Sequence, residues 1–244
     1  MTRLVARVIT LDQAVEAGCA YFLHHGTIDM DALASKIAVS RATLYRVVGS
    51  RDRLLGEVMW RLVSRSLARA RARRTSDGVD GVLEVVRDIC TSILASRPLR
   101  RFVTQEPEAA SRLLGGASVG GVHARAVHAA QRLFAEVGLR PASRGDLLGD
   151  SMGEGRLNDS AAVADLVVRI VESACFASAP AARVQLELSL ASIRGLLVEA
   201  CATDGRRARL PRMRKLLDTA FCVAWTPVPN LFGEVAGSLQ AVGL

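Results

Sequence analysis

Between Gly26 and Gly49 the chain has room for two short helices and the turn between them, and for little else. Asp29 stands where it can cap the first, whose inward positions are Leu33, Ala34 and Ile37. Ser40 stands where it can cap the second, Arg41 to about Val48, with Leu44 and Val48 as its apolar anchors. Upstream, Leu11, Val15, Cys19, Phe22 and Leu23 recur at helical spacing and predict a helix from about Thr10 to His25, stopped by Gly26. Three helices, the last two joined by a turn of three or four residues, are the layout of a helix-turn-helix module.

Helical pattern continues beyond it. Ser50 caps a long segment, about Arg51 to Arg74, with Leu54, Leu55, Val58, Leu62 and Leu67 on its apolar side. Arg61, Arg65 and Arg69 fall at i, i+4 and i+8 of the same segment and read as a solvated or ion-paired face. After a break at Thr75–Gly78, further helices are expected over about 79–96, in pieces punctuated by Pro98 and Pro107, and over about 122–137. A loop over 138–159 precedes two strongly apolar helices, about 160–177 and 181–202, candidates for a dimer-forming pair. The glycines near Gly116 and Gly121 lack the lysine and flanking strand of a phosphate loop and read as loops.

Composition agrees with an all-α chain. Half of the 244 residues are apolar, only 4% are aromatic, and glycine and proline are too scattered for many tight β-turns. The net charge of +8 makes an anionic partner plausible without naming it. Arginine supplies nearly all the positive charge, Lys36 and Lys215 being the only lysines. The five cysteines form no CxxC and have no histidine at metal-ligand spacing, so buried free thiols in a reducing cytoplasm are expected, with no metal and no cofactor. Asp12 and Glu16 interrupt any signal peptide, and the longest uncharged run, Thr219 to Gly233, is too short and too proline-broken to cross a membrane. The expected location is cytoplasmic. No Ser/His/Asp or Cys/His set argues for catalysis.

In a helix pair of this kind the second helix enters the major groove with its N-terminal residues foremost. Arg41 is suited to a bidentate contact with guanine, while the methyl groups of Ala42 and Thr43 suit thymine methyls. Ser40 can cap and also reach a phosphate. Tyr45 and Arg46, one turn on, fall toward the backbone. Arg51, at a helix start, sits where backbone N–H groups already favour a phosphate.

The pieces Ile37-Ala38-Val39-Ser40, Thr43-Leu44-Tyr45 and Ser50-Arg51-Asp52-Arg53-Leu54-Leu55 resemble the DNA-binding module of the TetR family of regulators. Val47-Val48-Gly49-Ser50-Arg51 and Gly56-Glu57-Val58-Met59-Trp60 resemble, within it, the QsdR-like branch. The resemblance covers residues 8–60 or so. Two positions depart from the family pattern: Ala38 stands where glycine is usual, and Val47 where an aromatic residue usually contacts phosphate. An alanine forced into a left-handed conformation there costs roughly 1–2 kcal/mol.

The resemblance implies a homodimer on double-stranded DNA, with a DNA-binding domain over 1–52 and a helical effector-binding and dimerisation domain over 53–203. The remaining residues, 204–244, are a basic and then apolar tail with no structural reading. It further implies a ligand-responsive repressor on a near-palindromic operator, with a small apolar effector of lactone or acyl type. Trp60, Phe102, Phe134 and Phe176 are the aromatic candidates for contact with such an effector. Glu172, inside an apolar run, is the polar candidate and needs Arg169 or a ligand group as a partner if it is buried. His123 and His128, five apart, fall on different helix faces and make no metal pair. The alternative is a helical protein-interaction module without specific DNA binding.

Overall fold

A computed structural model describes residues 9–114, 121–139, 159–176 and 182–201. The expectations for the 140–158 loop, the glycines at 115, 116 and 120, and the tail from 204 onward lie outside the described residues. Among those described there are ten α-helices and no strand.

The first four helices begin where side-chain caps place them. Helix α1, Leu11–His25, starts with a capping box in which Thr10 Oγ1 accepts from the Gln13 N–H and Gln13 Oε1 accepts from the Thr10 N–H. It ends at Gly26, left-handed at φ 71°, where a Cβ would come within 2.8 Å of the Pro98 carbonyl oxygen. Asp29 caps α2, Met30–Lys36, accepting from the N–H groups of Asp31 and Ala32. Ser40 caps α3, Arg41–Val48, and Ser50 caps α4, Arg51–Arg73, each accepting the N–H three residues on at 3.1 Å. The turn between α2 and α3 is a Schellman motif: the Val39 N–H reaches the Ala34 carbonyl and the Ala38 N–H the Ser35 carbonyl. Its left-handed position is Ala38, φ 56°, so the alanine does carry the strain its sequence position suggested.

Helices α5 (Gly78–Ala95), α6 (Arg97–Gln105), α7 (Pro107–Leu114), α8 (Val122–Glu136), α9 (Asp159–Ser173) and α10 (Ala182–Cys201) follow, with a single 3-10 turn at Ala174–Phe176. Pro98 and Pro107 each lie in a first helical turn, where a missing N–H costs nothing.

Two apolar cores share α4. The first joins Ala14, Cys19 and Phe22 of α1, Leu33 and Ala34 of α2, Leu44 and Val48 of α3 and Leu54, Leu55 and Val58 of α4. Phe102 of α6 and Leu113 of α7 close it. Helices α1 and α4 cross tightly: a Cβ on Gly18 would lie 2.8 Å from Val58 Cγ2. The second core joins Ala70 of α4 to Val82, Val85 and Val86 of α5, Leu133 and Phe134 of α8, Val167 of α9 and Ile193 and Leu197 of α10. No helix among the described residues is long and apolar enough to cross a membrane.

Two of the three arginines in the α4 stripe are anchored to α1: Arg61 pairs with Asp12, and Arg65 reaches Glu16 at 2.6 Å. The third, Arg69, is exposed, so the stripe is part ion-paired and part solvated, the two forms the spacing allowed. Cys19, Cys90, Cys175 and Cys201 are free thiols, and burial pushes both Cys90 and Cys175 up to about 12.

Candidate functional site

Two places concentrate polar chemistry on this scaffold. The first is the outer face of α3. Leu44 and Val48 are fully buried and pin the helix, which turns Arg41, Ala42 and Arg46 outward, with Thr43 and Tyr45 half-buried. Ser40 Oγ also lies 2.8 Å from Thr43 Oγ1, fixing both hydroxyls at the helix start. Arg41 stacks over the Tyr45 ring at 5.4 Å and pairs with Asp31 of α2 at 2.7 Å. Six of the seven residues singled out for DNA contact thus lie on α3 or its cap, four of them exposed and two half-buried.

Arg51 stands apart from them. Its Nε–H donates to the Ile28 carbonyl at 2.7 Å, and its Nη2 donates to both oxygens of Glu106 and to Thr27 Oγ1. Thr27 in turn donates to Glu106. The guanidinium is thus half-buried and ties the α1–α2 loop to the α6–α7 junction. The local motif gave no sign of this, because Glu106 lies 55 residues away in sequence.

The second place is a cavity of about 120 Å³ enclosed by α4, α5, α8 and α9, ten times or so what one water molecule requires. Its wall is almost wholly apolar: valines and isoleucine from α5, alanines from α8, Val167, Val168 and Val171 from α9, and the rings of Trp60 and Phe134. Among the described residues Glu172 is its one charged residue. Of the five candidates for effector contact, Trp60, Phe134 and Glu172 line this space. Phe102 and Phe176 do not. Phe102 is buried in the first core, edge-on to Phe22 at 5.8 Å, and Phe176 is 45% exposed. Aromatic identity alone does not separate a core position from a cavity wall.

The protein partner of Glu172 is His123, not Arg169. Its carboxylate lies 3.0 Å from His123 Nδ1, and His123 Nε2 lies 2.7 Å from Asp165, whose other oxygen accepts from Arg169 at 2.7 Å. Burial raises Glu172 above the ordinary carboxyl range against the pull of His123. Burial would lower His123, but its hydrogen bonds to Asp165 and Glu172 outweigh that and hold the imidazole above its ordinary value. Burial would likewise raise Asp165, and the hydrogen bonds from Arg169 and His123 bring it below its ordinary value instead. His123 sits 49 residues from Glu172, so spacing along the sequence held no cue to the pair.

A further contact joins the cavity to α4. Arg125 of α8 grips Glu57 with two hydrogen bonds of 2.8 and 2.7 Å and lies 5.9 Å from the Trp60 ring. The bidentate hydrogen bond from Arg125 holds Glu57 below its ordinary value despite partial burial. Among the described residues no group of histidine, cysteine and acidic side chains is arranged to hold a metal ion.

Residues 77–197 match the family described as "Tetracyclin repressor-like, C-terminal domain". The fold is similar to that of the R. erythropolis transcriptional repressor QsdR, from the TetR family, with a TM-score of 0.59 and 21% identity over 80% of this chain and 97% of that one. At that identity the likeness carries the fold. No curated protein matches the chain. With its helix-turn-helix and the family match over its helical second half, this chain belongs to the TetR family of transcriptional regulators, a non-enzymatic family to which DNA binding is general.

Proposed function

We propose that the protein is an effector-responsive repressor that binds a near-palindromic operator as a homodimer. The observation that carries this reading is the division of α3, with Leu44 and Val48 wholly buried and Ser40, Arg41, Ala42 and Arg46 exposed at its start and along its outer face. A helix presented that way fits a major groove, its N-terminal residues against base edges. Arg41 and Thr43 read bases, Ala42 adds methyl contact, and Ser40, Tyr45 and Arg46 hold phosphates. Arg51 serves here as a brace for the module, since its Nε and Nη2 donors are occupied within the chain.

Residues 1–52 make the DNA-reading head and 53–203 the effector and dimer domain. The apolar cavity lined by Trp60, Phe134 and Glu172 is the effector site. The dimer forms through α10, where Val184, Leu188, Ala191, Gly195 and Val198 fall on one exposed face opposite the buried Ile193 and Leu197. Small residues at 191 and 195 let a second copy of the helix approach closely.

The test is selection of bound duplexes from a random pool near physiological salt, with the native chain and with Arg41→Ala. Enrichment of a near-palindrome that is relaxed or lost in the variant supports the reading. A pool that stays random leaves charge-driven binding alone and returns the module to a protein-interaction role.

A further inference from the structure

The cavity wall is almost wholly hydrocarbon, the Trp60 indole and the Cys175 thiol adding only weakly polar edges, and at one point of it stands a carboxyl group whose hydrogen-bonding capacity is already half committed. Glu172 has both oxygens within 3.1 Å of His123 Nδ1. On its far nitrogen, 2.7 Å away, the imidazole meets Asp165, itself paired with Arg169. Asp165 is thus held as an acceptor, and the Nε2 side of the ring must carry a hydrogen. Over the range of pH in which the pair holds one more proton, Glu172 and Nδ1 share it. If it rests on the histidine, Glu172 is a carboxylate and accepts from Nδ1. If it rests on Glu172, that proton is donated to Nδ1. In both cases the lone pairs that remain on Glu172 are acceptors only.

The cavity therefore offers a ligand an acceptor and no donor at its single charged point. A carboxylate or phosphate brought there would face a like charge or crowded lone pairs in a nearly water-free wall. A ketone, an ester or a bare lactone would set acceptor against acceptor. An O–H or N–H would complete the carboxyl group's hydrogen bonding and leave the hydrocarbon body against Val167, Val171 and Phe134.

We propose that the effector of this protein is an apolar molecule whose polar head donates a hydrogen bond, a hydroxyl or an N–H, to Glu172, with His123 and Asp165 holding that carboxyl group in place. The proposal rests on taking the cavity as the effector site, and it narrows an acyl or lactone effector to one that keeps a donor, such as an amide N–H or a free hydroxyl.

Four probes with the same eight-carbon skeleton test it by calorimetric titration of the full chain: octan-1-ol, octanamide, octan-2-one and octanoate. The alcohol and the amide should bind at least about tenfold more tightly than the ketone, with octanoate the weakest. Glu172→Gln, which places a donor-bearing amide at the same point, should erase the margin over the ketone. Should that variant fail to fold, the native ranking decides alone. Ala126→Phe, which fills the wall from α8, should weaken all four probes together. Equal binding of the four, or a preference for ketone or octanoate, that is lost in Ala126→Phe would overturn the donor proposal and keep the cavity as the site. Binding that Ala126→Phe leaves untouched, or no binding of any probe to the native chain, would overturn both.

Discussion

Arg41 Nη1 lies 2.7 Å from Asp31 Oδ2, so the arginine proposed to read a base edge is held by an acidic side chain of the preceding helix. Both side chains are more than half exposed, at 59% and 64%. An exposed pair of this kind contributes little, because solvent screens it. Releasing Arg41 from it is a small cost that DNA binding must meet. Asp31→Asn removes both that cost and a negative charge beside the phosphates. Operator affinity should rise about two- to fivefold, measured by fluorescence anisotropy at fixed salt. Unchanged or weaker binding would mean that the pair orients Arg41 for the groove.

Ala38 should be improvable. It occupies the left-handed position of the α2–α3 turn, where glycine has no Cβ to strain. Ala38→Gly relieves about 1–2 kcal/mol of strain and gives back part of it as unfolded-chain entropy. The expected gain is about 0.5–1 kcal/mol, or a rise in Tm of roughly 1–4 °C, read by thermal unfolding.

Glu106 should matter more to stability than its place in a helix junction suggests. Replacing its carboxylate by an amide leaves the half-buried Arg51 guanidinium without an anionic partner, with one neutral oxygen where two charged ones accepted. Glu106→Gln should cost about 1–2 kcal/mol in urea unfolding, the lower end reflecting partial exposure of both groups. In a double-mutant cycle with Arg51→Met, the two losses should fall well short of additive.

Stability should decline as the pH climbs from 6.5, the ordinary histidine value, through the raised value of His123. The folded chain keeps the His123 proton to higher pH than an unfolded chain does, so this contribution is whole below 6.5 and is lost above the folded value. Glu172, also raised, has the same sign, its contribution being whole below 4.5 and lost as its own folded value is passed. Asp165, lowered by its bonds to Arg169 and His123, has the opposite sign, and its window lies below 3.8. His123→Gln should therefore flatten the fall in Tm on the alkaline side of neutrality, and a slope that survives the substitution would place its origin elsewhere.

Leu188→Arg should dissociate the proposed dimer without unfolding the chain, because Leu188 is 48% exposed and touches the second core only through its helix. Light scattering would show a monomer, and operator affinity would fall with it.

Most of the fold was legible because its signals are local. Asp29, Ser40 and Ser50 each act on N–H groups two or three residues away, and Gly26 ends α1 by its own backbone angle. Periodic apolar positions such as Leu44, Val48, Leu54 and Leu55 needed no knowledge of what they would meet. The polar partners were not legible for the converse reason. Arg51 finds Glu106, His123 finds Glu172, and Arg125 finds Glu57 across 55, 49 and 68 residues of chain. Phe102 and Phe134 are both fully buried aromatics in helices of similar pattern. Only the packing of α6 beneath α1, and of α8 against α5, puts the first in a solid core and the second beside a void.

Helix α4 runs without a break from the first core into the second, and its 23 residues make a rod about 35 Å long. Its first turns hold Leu54, Leu55 and Val58 beneath the helix-turn-helix, while its Trp60, Val63 and Leu67 side chains border the cavity. A rod gripped at one end magnifies angle into distance. A tilt of about 5° about Leu67, roughly 24 Å from the start of the helix, carries that start through about 2 Å. On the proposed reading, a ligand that wedges the cavity need tilt α4 by only a few degrees to move the reading head relative to its half-site.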